Sequence, residues 1–222
     1  MVKVHPSATV ILLREAEKKI ELLLLRRNSR ILFHGGAWVF PGGRIDPGDY
    51  DHNDKGDMIL AARNAAIRET EEEAGLRLNP EELVLISRWT TPAELPKRFI
   101  AWFFVGVINR GNVEIDGSEI QDYQWIRPEM ALELHSKNKL ELPPPTFVTI
   151  FKLSAYHDIH TLLSSLAESE LEIYIPKIFQ VEGGRCSLYQ DDVGYPDGNM
   201  DRPGTRHRLR MLKSGWTYVK SV

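Results

Sequence analysis

Cysteine is nearly absent from this chain of 222 residues, and Cys186 is the only one. An internal disulfide and a cysteine-rich metal site are therefore excluded, and a reducing, intracellular compartment is favoured. Long apolar runs are also missing, because runs such as 20–25 are far too short to span a bilayer. The opening MVKVHPSATV lacks the charged start and long apolar core of a signal peptide. We expect a cytoplasmic protein with no membrane partner.

A basic excess is missing as well, since 28 Lys and Arg face 31 Asp and Glu and the formal net charge is −3. A general nucleic-acid binder would normally carry a basic surplus, so we expect no nucleic-acid partner. What the chain does have is an ordinary globular composition, 42% hydrophobic and 27% charged. Its length allows one elaborated domain with a substantial core.

Strand and helix patterns along the chain predict an α/β fold in which helices flank a mixed sheet. Predicted strands cover 8–13, 20–25, 37–40, 83–89, 99–108, the stretch EIQDYQWI, 172–181 and 208–219. Predicted helices run from about 57 to Gly75, over PEMALELHSK, and from about 147 to 169 after the helix breaker PPPT. We divide the chain into a core, 1–142, and a C-terminal helical and strand extension, 143–222, packed on the same domain.

The stretch IRETEEEAGL crowds four glutamates into five positions beside a glycine. On a helix, Glu69, Glu72 and Glu73 stand at i, i+3 and i+4 and are predicted to face the same way. Each like-charge pair at this spacing costs roughly 0.2–0.5 kcal/mol, and acidic groups near a helix C-terminus oppose its dipole. A solvated helix end with an Arg68–Glu72 ion pair is the plain alternative. A bound divalent cation accounts for the cluster better, because carboxylate oxygens suit Mg²⁺.

Together with Gly43 and Asp49, these residues resemble the signature of the Nudix hydrolases. That signature is a glycine, an acid after five further residues, then R-E-x-x-E-E-x-G and an apolar residue. The resemblance implies an α/β/α sandwich and hydrolysis of a nucleoside diphosphate linked to another group, with Mg²⁺ or Mn²⁺ as the cofactor. Divalent cations would bridge glutamates and diphosphate oxygens and activate a water for in-line attack on phosphorus.

The resemblance carries roles to individual residues of the cluster. It implies Glu69, Glu72 and Glu73 as metal ligands, and Gly43 as a further ligand through its carbonyl oxygen. Glu72 and Glu73 also join the catalytic set. Arg68 joins it in an orienting role, since it would hold a glutamate from outside the ligand shell.

One departure from the signature concerns the connection between its two halves. The 18 residues 50–67 separate Asp49 from the arginine, more than the signature has. We interpret the surplus as an insertion of about a helical turn plus a loop, which leaves the metal helix in place and makes Asp49 a weak candidate for catalysis. Glu119, with Asp122 close by, lies where many family members place the catalytic base. A solvated loop carboxylate is an equal alternative for Glu119.

The flanking segments resemble the coenzyme A diphosphatases. The stretch 22–43 has Arg27, Gly36 and FPGG in register with that group. A resemblance to an acyl-CoA diphosphatase branch related to a peroxisomal member is found in two further stretches, RWTTPAELPKRF and LPPPTFVTIFKL. A substrate with a diphosphate and a 3′-phosphate needs basic partners. The candidate substrate-binding residues are Arg26, Arg27, Arg30, His34, Lys97 and Arg98. For each of them an ordinary surface position is the alternative.

Three functions stay open on this sequence. The first is metal-dependent hydrolysis of CoA or acyl-CoA, the second is a Nudix enzyme acting on ADP-ribose, NADH or a nucleoside triphosphate, and the third is a catalytically silent ligand-binding module. The intact glutamate cluster favours the first two over the third. For the tail beyond about 170, we expect either a cover over the acyl or pantetheine end of the site or a homodimer contact.

Overall fold

The computed structural model describes residues 3–30, 35–51, 56–109 and 111–221. The strands in these ranges are β1 (Val4–Ala16), β2 (Lys19–Arg27), β3 (Trp38–Val39), β4 (Gly42–Arg44), β5 (Val84–Thr90), β6 (Arg98–Val107), β7 (Ile120–Ile126), β8 (Glu172–Tyr174), β9 (Lys177–Val181), β10 (Gly184–Leu188), β11 (His207–Leu212) and β12 (Gly215–Lys220). The helices are α1 (Met58–Ala74), α2 (Pro128–Ser136), α3 (Pro144–Leu153) and α4 (Ile159–Glu168). None of the described helices is both long and apolar enough to cross a membrane.

The first eight strands form one mixed sheet. Its order is β3-β2-β1-β6-β5-β8, with β4 paired to β1 and β7 paired to β2. β1 and β2 are an antiparallel hairpin, whereas β1 and β6 run parallel. Across the sheet, Ser7 lies beside Ala101, and Ala101 lies beside Trp89. Because paired residues point to the same face, these three side chains form one row on one side of the sheet.

The two faces of this sheet carry separate cores. On one face α1 packs through fully buried alanines such as Ala62 and Ala66 against β1 residues such as Val10. The small side chains let the helix lie close to the sheet. On the other face α3 and α4 contribute buried residues such as Phe147 and Leu162. Helices on both faces of a mixed sheet confirm the predicted α/β/α sandwich.

Helix α1 has well-defined ends. At its start the side chain of Asp57 accepts hydrogen bonds from the backbone N–H groups of Ile59 and Leu60. At its end Gly75 adopts a left-handed φ of 67°, which glycine tolerates without steric cost. The long connection between Asp49 and Arg68 therefore includes the first turns of α1, and its residues 52–55 lie outside the described residues.

The chain after residue 143 corrects four details of the sequence reading. The strand predicted over 208–219 is the antiparallel pair β11 and β12. The helical stretch predicted over 147–169 is two helices, and Asp158 begins the second by accepting a hydrogen bond from the Thr161 N–H. The strand predicted over 172–181 is two strands, β8 and β9, interrupted at Pro176, which has no N–H to donate. The stretch read as a loop contains β10, whose short and partly polar sequence hid it.

The tail strands form two separate sets of pairings. β9, β10, β11 and β12 make a four-stranded antiparallel sheet. β8 instead joins the first sheet, in parallel with β5. At this junction Trp89 stacks face to face on Tyr174, with ring centroids 3.8 Å apart. Tail side chains such as Tyr189 and Met211 belong to the same core as α3 and α4.

Candidate active site

Two glycines of β4 bring its backbone against the glutamate end of α1. Gly42 and Gly43 pair with Thr9 and Ala8 of β1. Gly42 has a φ of 153°, and a Cβ there would lie 2.3 Å from the Ala8 carbonyl oxygen. A Cβ on Gly43 would lie 2.3 Å from the carboxyl carbon of Glu69. Both positions therefore need glycine, the first for the backbone path and the second for the space that the glutamate occupies.

Arg68 organises the acidic side chains around it. Its Nε and Nη2 donate to the two oxygens of Asp49, each at 3.0 Å, and its Nη1 donates to Glu69 at 2.8 Å and to Glu72 at 3.0 Å. The buried Asp49 also accepts a hydrogen bond from the Asp46 N–H at 2.7 Å. This geometry fits the orienting role expected of Arg68. Asp49 in turn holds that arginine in place through both of its carboxylate oxygens.

Glu69 and Glu73 are the acidic residues of α1 that reach the cleft beside β4. Only 17% and 7% of their side chains are exposed. Burial raises the pKa of Glu73 to about 8, although the Gly42 N–H donates to it at 2.9 Å and Arg27 lies nearby. Burial also raises the pKa of Glu69, against the opposing effect of Arg68. At both carboxyl groups, the effect of burial on the pKa therefore outweighs that of the nearby arginine.

The three glutamates predicted as metal ligands are not placed alike in the structure, and their shared role stays a prediction. The side chain of Glu72 is 59% exposed, is bonded to Arg68 and does not line the cleft. Successive helix positions are about 100° apart, so Glu72 and Glu73 point in different directions. In the described ranges, no group of three or more His, Cys, Asp or Glu side chains is arranged to hold a metal ion. Glu69 and Glu73 alone still fit Mg²⁺, which typically binds one or two carboxylates together with substrate phosphates.

Arg27 links the helix glutamates to the predicted base. Its Nη1 lies 4.0 Å from an oxygen of Glu73, and its Nη2 lies 3.8 Å from an oxygen of Glu119. Glu119 is anchored through its backbone, since its carbonyl accepts a hydrogen bond from the Asn28 N–H at 2.7 Å. Its side chain is 65% exposed and lines the cleft. Glu119 is distant in sequence from the helix glutamates, and the fold brings it to the acidic site.

These groups line one end of a cleft of about 1110 Å³. Its floor follows the row of Ser7, Ala101 and Trp89 across β1, β6 and β5. The prolines at the start of α3 form part of one wall. The tail adds Pro176, Ile178, Arg185, Ser187, Tyr189 and Met211. The cleft therefore joins the acidic end of α1 to a region built by the C-terminal strands.

The predicted basic residues divide between the cleft and other surfaces. Arg27 and Lys97 line the cleft, and Lys97 lies 5.4 Å from the centre of the Phe99 ring. Arg98 follows Lys97, and strand alternation turns it to the opposite face from Phe99. Arg98 does not line the cleft, and its predicted substrate contact stays a prediction. Arg26 and Arg30 are exposed and lie outside the cleft lining. His34 lies outside the described residues.

Other cleft residues gave no signal in the sequence. Thr9 belongs to a strand that reads as core, yet it lines the cleft and donates a hydrogen bond to the Pro41 carbonyl. Ser118 lies beside Glu119 in a loop. Arg185 and Ser187 belong to β10, which the sequence pattern does not reveal. Their alternation, with Cys186 buried between them, could have indicated a strand with one polar face.

A model of the NUDIX domain matches residues 3–145 of the chain. The chain belongs to the Nudix family. Acyl-coenzyme A diphosphatase NUDT19 of Xenopus laevis is 23% identical to it over 272 aligned positions, covering 80% of this chain and 72% of that protein. A Bacillus subtilis protein provisionally named an 8-oxo-dGTP diphosphatase is 31% identical over 122 positions, covering 55% of this chain and 66% of that protein. The crystal structure of a NUDIX hydrolase from Alicyclobacillus acidocaldarius has a TM-score of 0.64 at 25% identity, covering 74% of this chain and 97% of that one.

This membership makes the chain a Nudix pyrophosphatase. Nudix hydrolases act on small nucleoside diphosphate derivatives and generally use divalent cations. The match ends at 145, before most of α3 and all of the tail sheet. The part of the cleft built by β9, β10 and β11 is therefore an addition to the family domain.

Proposed function

We propose that this Nudix hydrolase cleaves the diphosphate bond of coenzyme A or an acyl-CoA, giving 3′,5′-ADP and (acyl-)phosphopantetheine. The observation that carries the proposal is the extent of the cleft, which continues from Glu69 and Glu73 across β1, β6 and β5 to the tail. A substrate that fills such a cleft has a long arm beyond its diphosphate, as CoA does. The similarity to the Xenopus acyl-CoA diphosphatase supports the same substrate class.

The two buried carboxylates of α1 would hold the divalent cation. Glu69 and Glu73 present hard oxygen atoms at the acidic end of the cleft, where their charges lack sufficient positive partners. The β4 backbone at Gly43 lies directly against Glu69, so its carbonyl is a further proposed ligand. Bound Mg²⁺ or Mn²⁺ would neutralise charge on the diphosphate and activate the attacking water.

The remaining roles fall to side chains of the chain itself. Arg68 fixes the position of Glu69. Glu119, at the open edge of the cleft, would take the proton of the attacking water as a general base. Arg27 lies between Glu73 and Glu119 and would keep the two carboxylates apart while sharing their charge. Lys97 would contact a phosphate of the substrate.

A product assay by mass spectrometry tests this function. The panel contains CoA, a short and a long acyl-CoA, ADP-ribose, NADH and several nucleoside triphosphates, each with Mg²⁺ or Mn²⁺. We expect 3′,5′-ADP from CoA or its thioesters, with a rate at least about 100-fold lower in Glu73→Gln. Glu71→Gln is the matched control, because Glu71 lies on the same helix but pairs with Arg77 at the surface. It should retain full activity.

Two other outcomes would overturn the CoA assignment in different ways. AMP released from ADP-ribose or NADH, or hydrolysis of a nucleoside triphosphate, with CoA left intact would keep the glutamate chemistry and change the substrate. No turnover of any compound, together with tight binding of one of them, would make the chain a ligand-binding module.

A further inference from the structure

We infer that the tail sheet gives the cleft a second, apolar subsite that receives the acyl group of the substrate, so that acylated CoA is preferred over free CoA. The inference rests on the proposed function and adds a specificity element outside the family domain. Its residues belong to β9 and β11 and to the β5 and β6 strands that they face. Ile178 is the central determinant.

The position of this subsite follows from the register of the first sheet. Arg44 of β4, Ser7, Ala101 and Trp89 are consecutive partners across four strands, and all four line the cleft. Neighbouring strands lie about 4.8 Å apart, so three steps separate Arg44 from Trp89 by about 14 Å. A molecule whose diphosphate lies beside Glu69 must therefore extend along this row before it reaches the tail.

The chemistry of the lining changes along the same path. The first part contains Glu69, Glu73 and Arg27, whereas Trp89 and Phe103 of the floor are apolar. The tail adds the apolar Ile178 and Met211, whose cross-strand neighbours Ser187 and Arg185 place polar groups at the same part of the lining. Leu95 also lines the cleft, and 37% of this large apolar side chain is exposed to solvent. Burying such surface against an alkyl chain is favourable, and the gain grows with each methylene that is buried. An acyl chain is the part of an acyl-CoA that can provide this contact.

Two observations favour a small-molecule group over a protein segment in this region. The subsite continues directly into the cleft that holds the catalytic glutamates. It also has walls from several elements of one chain, namely the floor of β5 and β6, the proline-rich start of α3 and the tail strands. A recess lined in this way fits a flexible chain that is tethered to the substrate.

The face of Trp89 that meets Tyr174 is already occupied. Their rings stack with centroids 3.8 Å apart and an interplanar angle of 1°, and Tyr189 packs edge-on at 5.8 Å. These contacts hold Trp89 as a fixed part of the floor. The tail thus both positions the floor and supplies the opposite side of the subsite, which explains how a C-terminal extension can set specificity.

The test compares kcat/KM for CoA, acetyl-CoA, hexanoyl-CoA and octanoyl-CoA. For the natural chain we expect kcat/KM to rise with acyl length, by at least about 10-fold from CoA to octanoyl-CoA. Ile178→Trp fills the subsite and should lower the ratio of kcat/KM for octanoyl-CoA to kcat/KM for CoA by about 10-fold. Ile173→Trp is the matched control, since Ile173 is another tail isoleucine, 41% exposed and outside the cleft lining. Its ratio should stay within about twofold of the natural chain.

A binding measurement separates this inference from the proposed function. S-octanoyl-pantetheine has the acyl arm but no nucleotide or diphosphate, and calorimetry can follow its binding without turnover. Binding to the natural chain and to Ile173→Trp, with loss in Ile178→Trp, supports the subsite even if CoA species prove not to be substrates. Equal kcat/KM for all chain lengths, or no binding of S-octanoyl-pantetheine, overturns it. If Ile178→Trp does not fold, Ile178→Ala serves instead. The smaller side chain should shift the preference in kcat/KM toward longer acyl chains and so raise the octanoyl-CoA to CoA ratio.

Discussion

Glu73 in α1 and Glu172 in β8 are both largely buried, with 7% and 23% of their side chains exposed. Burial raises the pKa of Glu73 to about 8. Burial would also raise the pKa of Glu172, but hydrogen bonds from Lys152, Lys220 and Tyr174 outweigh it and lower the pKa to about 2. The pKa of a buried glutamate is thus raised in one part of the chain and lowered in another.

The difference lies in the partners that each carboxylate meets. Glu172 joins α3 to β12 through Lys152 and Lys220, so its charge is matched and the contact ties the tail to the domain. Among the described residues, Glu73 receives one backbone N–H and has Arg27 as its single cationic partner, 4.0 Å away. A buried charge is retained in proteins when it is paired or binds a metal. The matched glutamate therefore stabilises the scaffold, and we propose that the unmatched one serves the site.

The largest expected effect comes from changing the two glycines that bring β4 against the glutamates. In Gly42→Ala the new Cβ meets backbone atoms of Ala8 and Thr9 at 2.3 and 2.6 Å. We expect a loss of about 3 kcal/mol in the free energy of unfolding. In Gly43→Ala the Cβ meets only the carboxyl end of Glu69, which can swing aside. Stability should change little, while kcat/KM should fall roughly 10–100-fold.

Urea unfolding and steady-state kinetics on the same preparations measure both effects. The pair of variants is internally controlled, because each adds one methyl group at adjacent positions. Equal loss of stability in the two variants would contradict the assignment of Gly43 to the site. Full activity in folded Gly43→Ala would show that the position of Glu69 is unimportant.

A smaller effect concerns the pH dependence of stability in metal-free protein. The pKa of Glu73 is near 8 in the folded chain and near 4.5 when unperturbed, so between these values the folded chain binds more protons. Stability should therefore be highest below pH 4.5 with respect to this group, and should fall as pH rises to 8. Glu73→Gln should abolish that slope. An unchanged slope in the variant would assign it to other groups.

The smallest effect is expected for the matched glutamate. Glu172→Gln should lower the free energy of unfolding at pH 7 by about 1 kcal/mol, because the partly exposed Lys152 and Lys220 remain hydrated. The folded pKa lies below the unperturbed value, so this stabilisation is present above pH 4.5 and lost as pH falls toward 2. The exposed Glu182→Gln is the control for urea unfolding. A more stable Glu172→Gln would place Glu172 in the same class as Glu73.

Local features of the sequence predicted much of the first sheet and the metal helix. The helix from 57 to Gly75 was predicted because its cap residues and alanine spacing act within a few residues. The tail was predicted less well. The sequence pattern predicts β8 with β9, and β11 with β12, as single strands and does not reveal β10, because the pairing of short strands depends on tertiary contacts.

The composition of the candidate site was likewise determined by the sequence, and its arrangement was not. The density of glutamates around Arg68 indicated a divalent-cation site because like charges at helical spacing repel one another. The direction of each side chain depended on the rotation of α1 against β4, which placed Glu73 inside the cleft and left Glu72 at the surface. Strand alternation in β6 similarly placed Phe99 in the cleft lining and left Arg98 outside it. Periodicity fixes which residues share a face, but only packing decides which face meets the cleft.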